Sequence, residues 1–170
     1  AKDGDVVLLS KNLGTGLITT AGNRDEIAEA ILGMRTTNQA AAVALQSVSG
    51  AVHAVTDVTG FGLAGHSWEI AERSEAKIVL DSSLLPLYNG ALRISQTGHR
   101  TGADSKNRSY VKQFSSRDNC EDFVALVMDP QTSGGLLATV HPDAVPQLVA
   151  SGIFTVIGNC QSGSAEIALI

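Results

Sequence analysis

Between residues 52 and 80 the chain passes from an apolar run, through a glycine-rich turn, into a segment of helical period and out to a second apolar run. Residues 52–58 read as a strand, 63–72 as a helix and 77–80 as another strand, a local βαβ-like pattern that commits the stretch to α/β packing. The turn runs Thr56-Asp57-Val58-Thr59-Gly60-Phe61-Gly62-Leu63-Ala64-Gly65-His66. Its glycines let a backbone approach phosphate closely, yet a carboxylate, Asp57, stands just ahead of them. A bare carboxylate repels phosphate unless a divalent cation sits between the two.

Three readings of the turn follow from the residues. Gly60 to Gly65 is a literal GxGxxG between a strand and a helix, and Asp81 closes the next strand at a suitable distance, so an oxidoreductase domain binding NAD is one reading. A purely structural turn, in a non-catalytic scaffold, is the second. In the third, Asp57 is a metal ligand at a strand end, and Thr59 with the amides of Gly60 and Gly62 is aimed at phosphate. His66 falls in the following helix, where it can cap, donate a hydrogen bond or simply pack.

A second polar motif, Asp129-Pro130-Gln131-Thr132-Ser133-Gly134-Gly135, follows the apolar run 123–128, which reads as a strand. Gln131, Thr132 and Ser133 can hydrogen-bond a ligand or their own backbone, and the glycine pair permits a tight turn or a close ligand. Ser133 is no hydrolytic nucleophile, because GxSxG is absent. Lys11, Gly14, Thr15 and Gly16 suggest a phosphate loop without meeting the P-loop pattern.

Elsewhere the apolar spacing predicts a strand at 6–9, helices at 24–34, 36–48 and 84–97, a strand at 136–140, and a short helix at 142–151. Residues 154–158 and 166–170 read as a closing hairpin turned at 162–164. The polar stretch 98–109, which contains Asn107, reads as a long functional or mobile loop. The sum is an α/β sheet with helices on at least one face.

At 170 residues the chain fits one domain that buries roughly two thirds of its unfolded surface. Its 44% hydrophobic content includes only 4% aromatics, so aliphatic side chains must build the core. A formal charge of -5 without Lys/Arg clusters argues against nucleic acid or an anionic membrane as partner. No run is long enough to span a bilayer, and Cys120 and Cys160 lack paired spacing, so a cytoplasmic setting is expected. The first residues read as a turn entering a strand, as at an internal boundary of something longer.

Taken together, residues 4–16, 56–66 and 129–137 resemble the carboxy-terminal half of selenophosphate synthetase (selenide, water dikinase), within the aminoimidazole-ribonucleotide-synthetase-like superfamily. Met34, Asn38 and Asn107 also fall where that family usually has such residues, while Asn12 stands in place of a usual proline. The resemblance implies an α/β (α+β) carboxy-terminal domain, with a mixed sheet, packed helices and a partly ferredoxin-like layout. It implies that residues 1–170 are one domain of a longer enzyme whose amino-terminal ATP-binding domain is absent. The implied reaction turns ATP, selenide and water into selenophosphate, AMP and orthophosphate, with Mg²⁺ as cofactor and ATP as substrate. Asp57 is then the metal ligand, with phosphate or loop contacts at Thr59, Gly60, Gly62, Asn107, Gln131, Thr132 and Ser133. The full-length enzyme is implied to be a homodimer, and this half alone to be inactive and monomeric.

Overall fold

The computed structural model describes residues 1–118 and 120–170. Seven strands form one mixed sheet: β1 (Val6–Leu9), β2 (Val52–Asp57), β3 (Ala76–Leu80), β4 (Phe114–Ser116), β5 (Leu136–Val140), β6 (Thr155–Ser162) and β7 (Glu166–Leu169). Their order across the sheet is β2-β5-β1-β6-β3-β7-β4. Pairing is antiparallel from β2 through to β3, and parallel for β3 with β7 and β7 with β4. The expected mixed α/β sheet with packed helices is what forms.

Both faces of the sheet are covered, and strand alternation explains how. On β1, Val7 and Leu9 enter the largest apolar cluster, while Leu8 points into a second one with Leu45, Val140, Leu148 and Phe154. The large cluster packs under α4 (Gly62–Ser74) and α7 (Glu121–Met128). The second holds α3 (Gln39–Gln46) and α8 (Val145–Ala150). A third cluster joins α1 (Thr15–Ala21), α2 (Arg24–Arg35) and α5 (Ala91–Gln96) through Leu17, Ile18, Ala30 and Ile94.

The start of α2 shows local chemistry setting a boundary. Asn23 Oδ1 accepts from the amides of Asp25 and Glu26, and Glu26 Oε2 accepts from the Asn23 amide, so orphan donors are satisfied reciprocally. The helices expected at 36–48 and 84–97 start later and stop earlier than the apolar spacing alone suggests. α3 is trimmed to Gln39–Gln46 behind Asn38, and residues 85–90, after a short 3-10 turn at Ser82–Leu84, are not helical. There the Leu13 amide donates to the Pro86 carbonyl and the Tyr88 amide to the Leu13 carbonyl, so Pro86 lies in an extended segment; α5 begins only after Gly90, whose φ is 84°.

Three expectations are corrected. The run 123–128 is not a strand but most of α7, whose Val124 to Met128 are all buried. A helix enclosed on every side shows the same continuous apolar run as a buried strand, so periodicity cannot separate the two. The supposed loop at 98–109 contains α6 (Asp104–Tyr110), packed against α4 and α7. The closing hairpin does not form: β3 lies between β6 and β7, antiparallel to one and parallel to the other. β2 and β3 run the same way, as a βαβ unit requires, but three other strands separate them.

Candidate functional site

The two polar motifs meet because β2 pairs with β5. Asp57 lies opposite Leu136, and beyond the strand end the Val58 amide donates to the Gly135 carbonyl at 2.9 Å. The loop after β1 joins them from the other side of β5, where the Ser10 amide donates to the Leu136 carbonyl and Ser10 Oγ accepts from the Leu136 amide. Three chain segments therefore converge at one sheet corner. Gly135 is needed there, since a Cβ on it would lie 2.6 Å from the Lys11 nitrogen.

At this corner a cleft of about 260 Å³ is lined by Lys11, Arg35, Asn38, Asp57, Ser133 and Gly134, among others. Asp57 is exposed at the end of β2 and is the one acid among the lining residues. Arg35 reaches the cleft from the last turn of α2. Lys11 Nζ donates to the Thr36 carbonyl at 2.6 Å and the Ser133 carbonyl at 2.8 Å, which pins its charge between α2 and the second motif. Partial burial lowers the Lys11 pKa from its ordinary value. Asn38 donates to the Gly134 carbonyl at 3.0 Å, while its Oδ1 is buried without a hydrogen-bond partner. Two larger clefts nearby, of about 360 and 570 Å³, are lined by uncharged and mainly apolar residues such as Leu45, Val55 and Val43. Unlike these two, the smaller cleft carries charge.

The remaining residues named from the sequence divide into exposed and engaged. Ser133 is exposed with a left-handed φ of 49°, and Thr132 is exposed beside it. Gln131 is 4% exposed and faces inward: its Oε1 accepts from the amides of Gly14 and Thr15 and from Thr15 Oγ1, and its Nε2 donates to Asp129. Asn107 is 1% exposed and donates to the carbonyls of Gly60 and Met128, tying the glycine turn to the end of α7. Both hold loops in place from within the protein. Thr59 is partly exposed, and its hydroxyl meets His66 Nε2 at 3.0 Å.

The glycines of the turn answer the dinucleotide reading. A Cβ on Gly62, whose φ is 72°, would lie 2.8 Å from the Val127 carbonyl, and one on Gly65 would lie 2.6 Å from Phe61 Cβ. These close approaches are to the protein itself; only Gly60 opens to free space. Asp81, the acid that reading requires, accepts from the amide and hydroxyl of Ser83 and caps a short turn.

Beneath the cleft corner, Asp129 Oδ2 accepts from the Gly16 amide and Gln131 Nε2, while Oδ1 is buried without a partner. Burial pushes the Asp129 carboxyl up to about 7. Among the described residues, no three or more His, Cys, Asp or Glu side chains are gathered as a metal cluster, so Asp57 enters the site alone. Sequence reasoning missed Arg35, which lies in neither motif; its position in the last turn of a helix ending beside the Lys11 loop was the available signal.

Residues 2–164 match the family described as AIR synthase related protein, C-terminal domain. The selenide, water dikinase of Bdellovibrio bacteriovorus is 37% identical over 155 residues, which cover 88% of this chain and 44% of the relative. That of Pseudomonas straminea is 37% identical over 176 residues, covering 100% of this chain and 47% of its own length. The chain thus spans about half the length of the curated relatives it matches. Among solved structures, the hydrogenase maturation protein HypE superposes with a TM-score of 0.65 at 17% identity, over 99% of this chain and 50% of that one. A thiamine-monophosphate kinase from Stenotrophomonas maltophilia gives 0.63 at 20%, over 99% and 51%. Among the described residues, no helix is long and apolar enough to cross a membrane.

Proposed function

The chain belongs to the AIR synthase related family, as its C-terminal domain, and from that premise we propose that it is half of a selenide, water dikinase. The proposed parent enzyme makes selenophosphate, AMP and orthophosphate from ATP, selenide and water. An amino-terminal domain outside residues 1–170 supplies most of the ATP site and the selenide-handling groups, and this half alone is inactive and monomeric. The parent is a homodimer in the cytoplasm, a setting that suits the unpaired Cys120 and Cys160.

One observation carries the reading: Asp57, Lys11 and Arg35 share a single polar cleft at the corner where both glycine motifs meet. A lone exposed carboxylate fits Mg²⁺, which is usually held by one or two carboxylates together with substrate phosphates and water. Asp57 would hold the ion, whose role is to neutralise charge on the phosphoryl group as it transfers. Lys11 and Arg35 offset phosphate charge directly, and Lys11 does so from a fixed place because two carbonyls grip its ammonium. Gly60, open to space beside this corner, leaves room for phosphate to meet the backbone.

The test supplies the missing half as a separately expressed amino-terminal domain of a relative and measures selenide-dependent AMP formation. Activity should require both halves, and Asp57→Ala should lower it about a hundredfold. Near-normal activity in that variant would sink the metal role.

A further inference from the structure

Among the described residues, the sheet ends on one side at β4, three residues long, and on the other at β2, six residues long. An open edge of β2's length is a template for another strand, and chains usually blunt such an edge with Lys, Pro or a covering segment. β2 carries neither Lys nor Pro, and none of its six residues is buried. Its one irregularity, a register shift between Val52 and Ala54, leaves residues 54–57 regular. The register fixes what this edge offers. The Val58 amide donates to the Gly135 carbonyl, and Thr56 and Ala54 lie opposite Leu137 and Thr139 in the same register, so these residues turn their peptide groups to β5. The amides and carbonyls of Val55 and Asp57 therefore point away from the sheet.

Clefts flank this edge on both faces. On the α3 side, Ala42, Leu45, Val52, Val55 and Leu136 line the apolar cleft of about 360 Å³. On the α4 side, Ala54, Thr56, Glu69, Arg73 and Ser74 line one of about 240 Å³. Glu69 is engaged by His66 and Tyr110, and Glu72 by Lys112, whereas Arg73 is exposed and, among the described residues, makes no ion pair. We propose that an extended segment of the parent enzyme's amino-terminal half pairs with β2 as a further strand. Its apolar side chains fill the Leu45 cleft, and an acidic side chain on its other face meets Arg73. Two observations select that occupant. Successive side chains of an added strand fall on opposite faces, which matches one apolar and one charged cleft. β2 also ends at Asp57, so a strand laid beside it brings its own groups to a cleft lined by a single carboxylate. This second step rests on the dikinase reading above, in which the missing half completes that site.

Amide exchange tests this on the 170-residue chain, alone and mixed with the relative's amino-terminal domain named above. Alone, the Val55 and Asp57 amides should exchange freely; in the mixture their exchange should slow by about tenfold or more. Val55→Pro deletes only an outward amide, so the unfolding midpoint should stay within about 3 °C while association weakens about tenfold. Arg73→Glu leaves the strand backbone intact and should weaken association by a similar factor. Association that leaves both amides exchanging as in the chain alone, or that neither variant weakens, overturns the proposal, as does failure of the two halves to associate. Protection that instead grows with the concentration of this chain alone assigns the edge to a second copy and also overturns it. Selenide-dependent AMP formation with the edge still open defeats this inference and spares the dikinase reading; a closed edge without AMP formation does the reverse.

Discussion

Gly134 is pressed against Val58 so closely that a Cβ added to it would lie 2.1 Å from the Val58 carbonyl oxygen and 3.1 Å from Gln131 Cβ. This contact is where the second motif meets the strand end that carries Asp57, and it is backbone against backbone. No side-chain rotation can relieve it.

Gly134→Ala should therefore destabilise the fold by about 1–3 kcal/mol, the usual range for forcing extra volume into a packed site. Gly60→Ala is the matched control, because nothing lies within 4 Å of its added Cβ. That variant should stay within about 0.5 kcal/mol of the parent chain. Chemical denaturation of the two variants side by side checks the difference, and equal stabilities would show that the corner yields easily.

Asp129 should make stability depend on pH in a direction opposite to most carboxylates. Its folded value of about 7 lies above the ordinary carboxylate range, so between pH 4 and 7 the folded chain holds a proton that the unfolded chain has released. Stability from this group is thus greatest below pH 4, falls as pH rises towards 7, and levels off above it. The full effect is on the order of 4 kcal/mol. Asp129→Asn keeps an amide oxygen for the Gly16 donor and removes the charge. It should flatten this part of the profile and be more stable than the parent at pH 8, as thermal unfolding across that range would reveal.

How much of this was legible in the sequence depended on whether a signal was local. The start of α2 was readable at Arg24 because apolar spacing and early acids agree there, and Asn23 and Glu26 complete the cap. β2, α4 and β3 were readable because strand and helix periods alternate across residues 52–80. α7 was not, since Val124 to Met128 are apolar on every side and carry no period. The insertion of β3 between β6 and β7 is a long-range pairing for which the turn at 162–164 gives no sign. Asp57 stood out because its charge conflicts with a glycine turn; Gln131 looked like a ligand contact because nothing local shows that its partners, Gly14 and Thr15, are over a hundred residues away.

Those distant partners make Gln131 a structural tie. Truncation in Gln131→Ala leaves the Gly14 and Thr15 amides and the Asp129 oxygens short of partners in a buried place. Losing such groups' bonds costs about 1–3 kcal/mol each where water cannot replace them, so a loss of about 3 kcal/mol is expected. Amide exchange offers a local check, since protection should fall at Gly14 and Thr15 before it falls in β1.

Arg35 and Lys11 share a cleft but are held differently, and that separates charge from scaffolding. Arg35 is exposed in the last turn of α2, where a cation gains about 0.3–1 kcal/mol from the helix dipole. Arg35→Ala should hence cost under about 1 kcal/mol of stability while weakening the binding of Mg²⁺ with pyrophosphate about tenfold, the effect of one lost charge-assisted bond. Lys11→Ala should cost both, because the Thr36 and Ser133 carbonyls lose the ammonium that links them. Calorimetric titration of the two variants, paired with their denaturation midpoints, decides the matter. If Arg35→Ala binds as the parent does while Lys11→Ala does not, the phosphate is served by Lys11 alone, and Arg35 is a surface charge that happens to line the cleft.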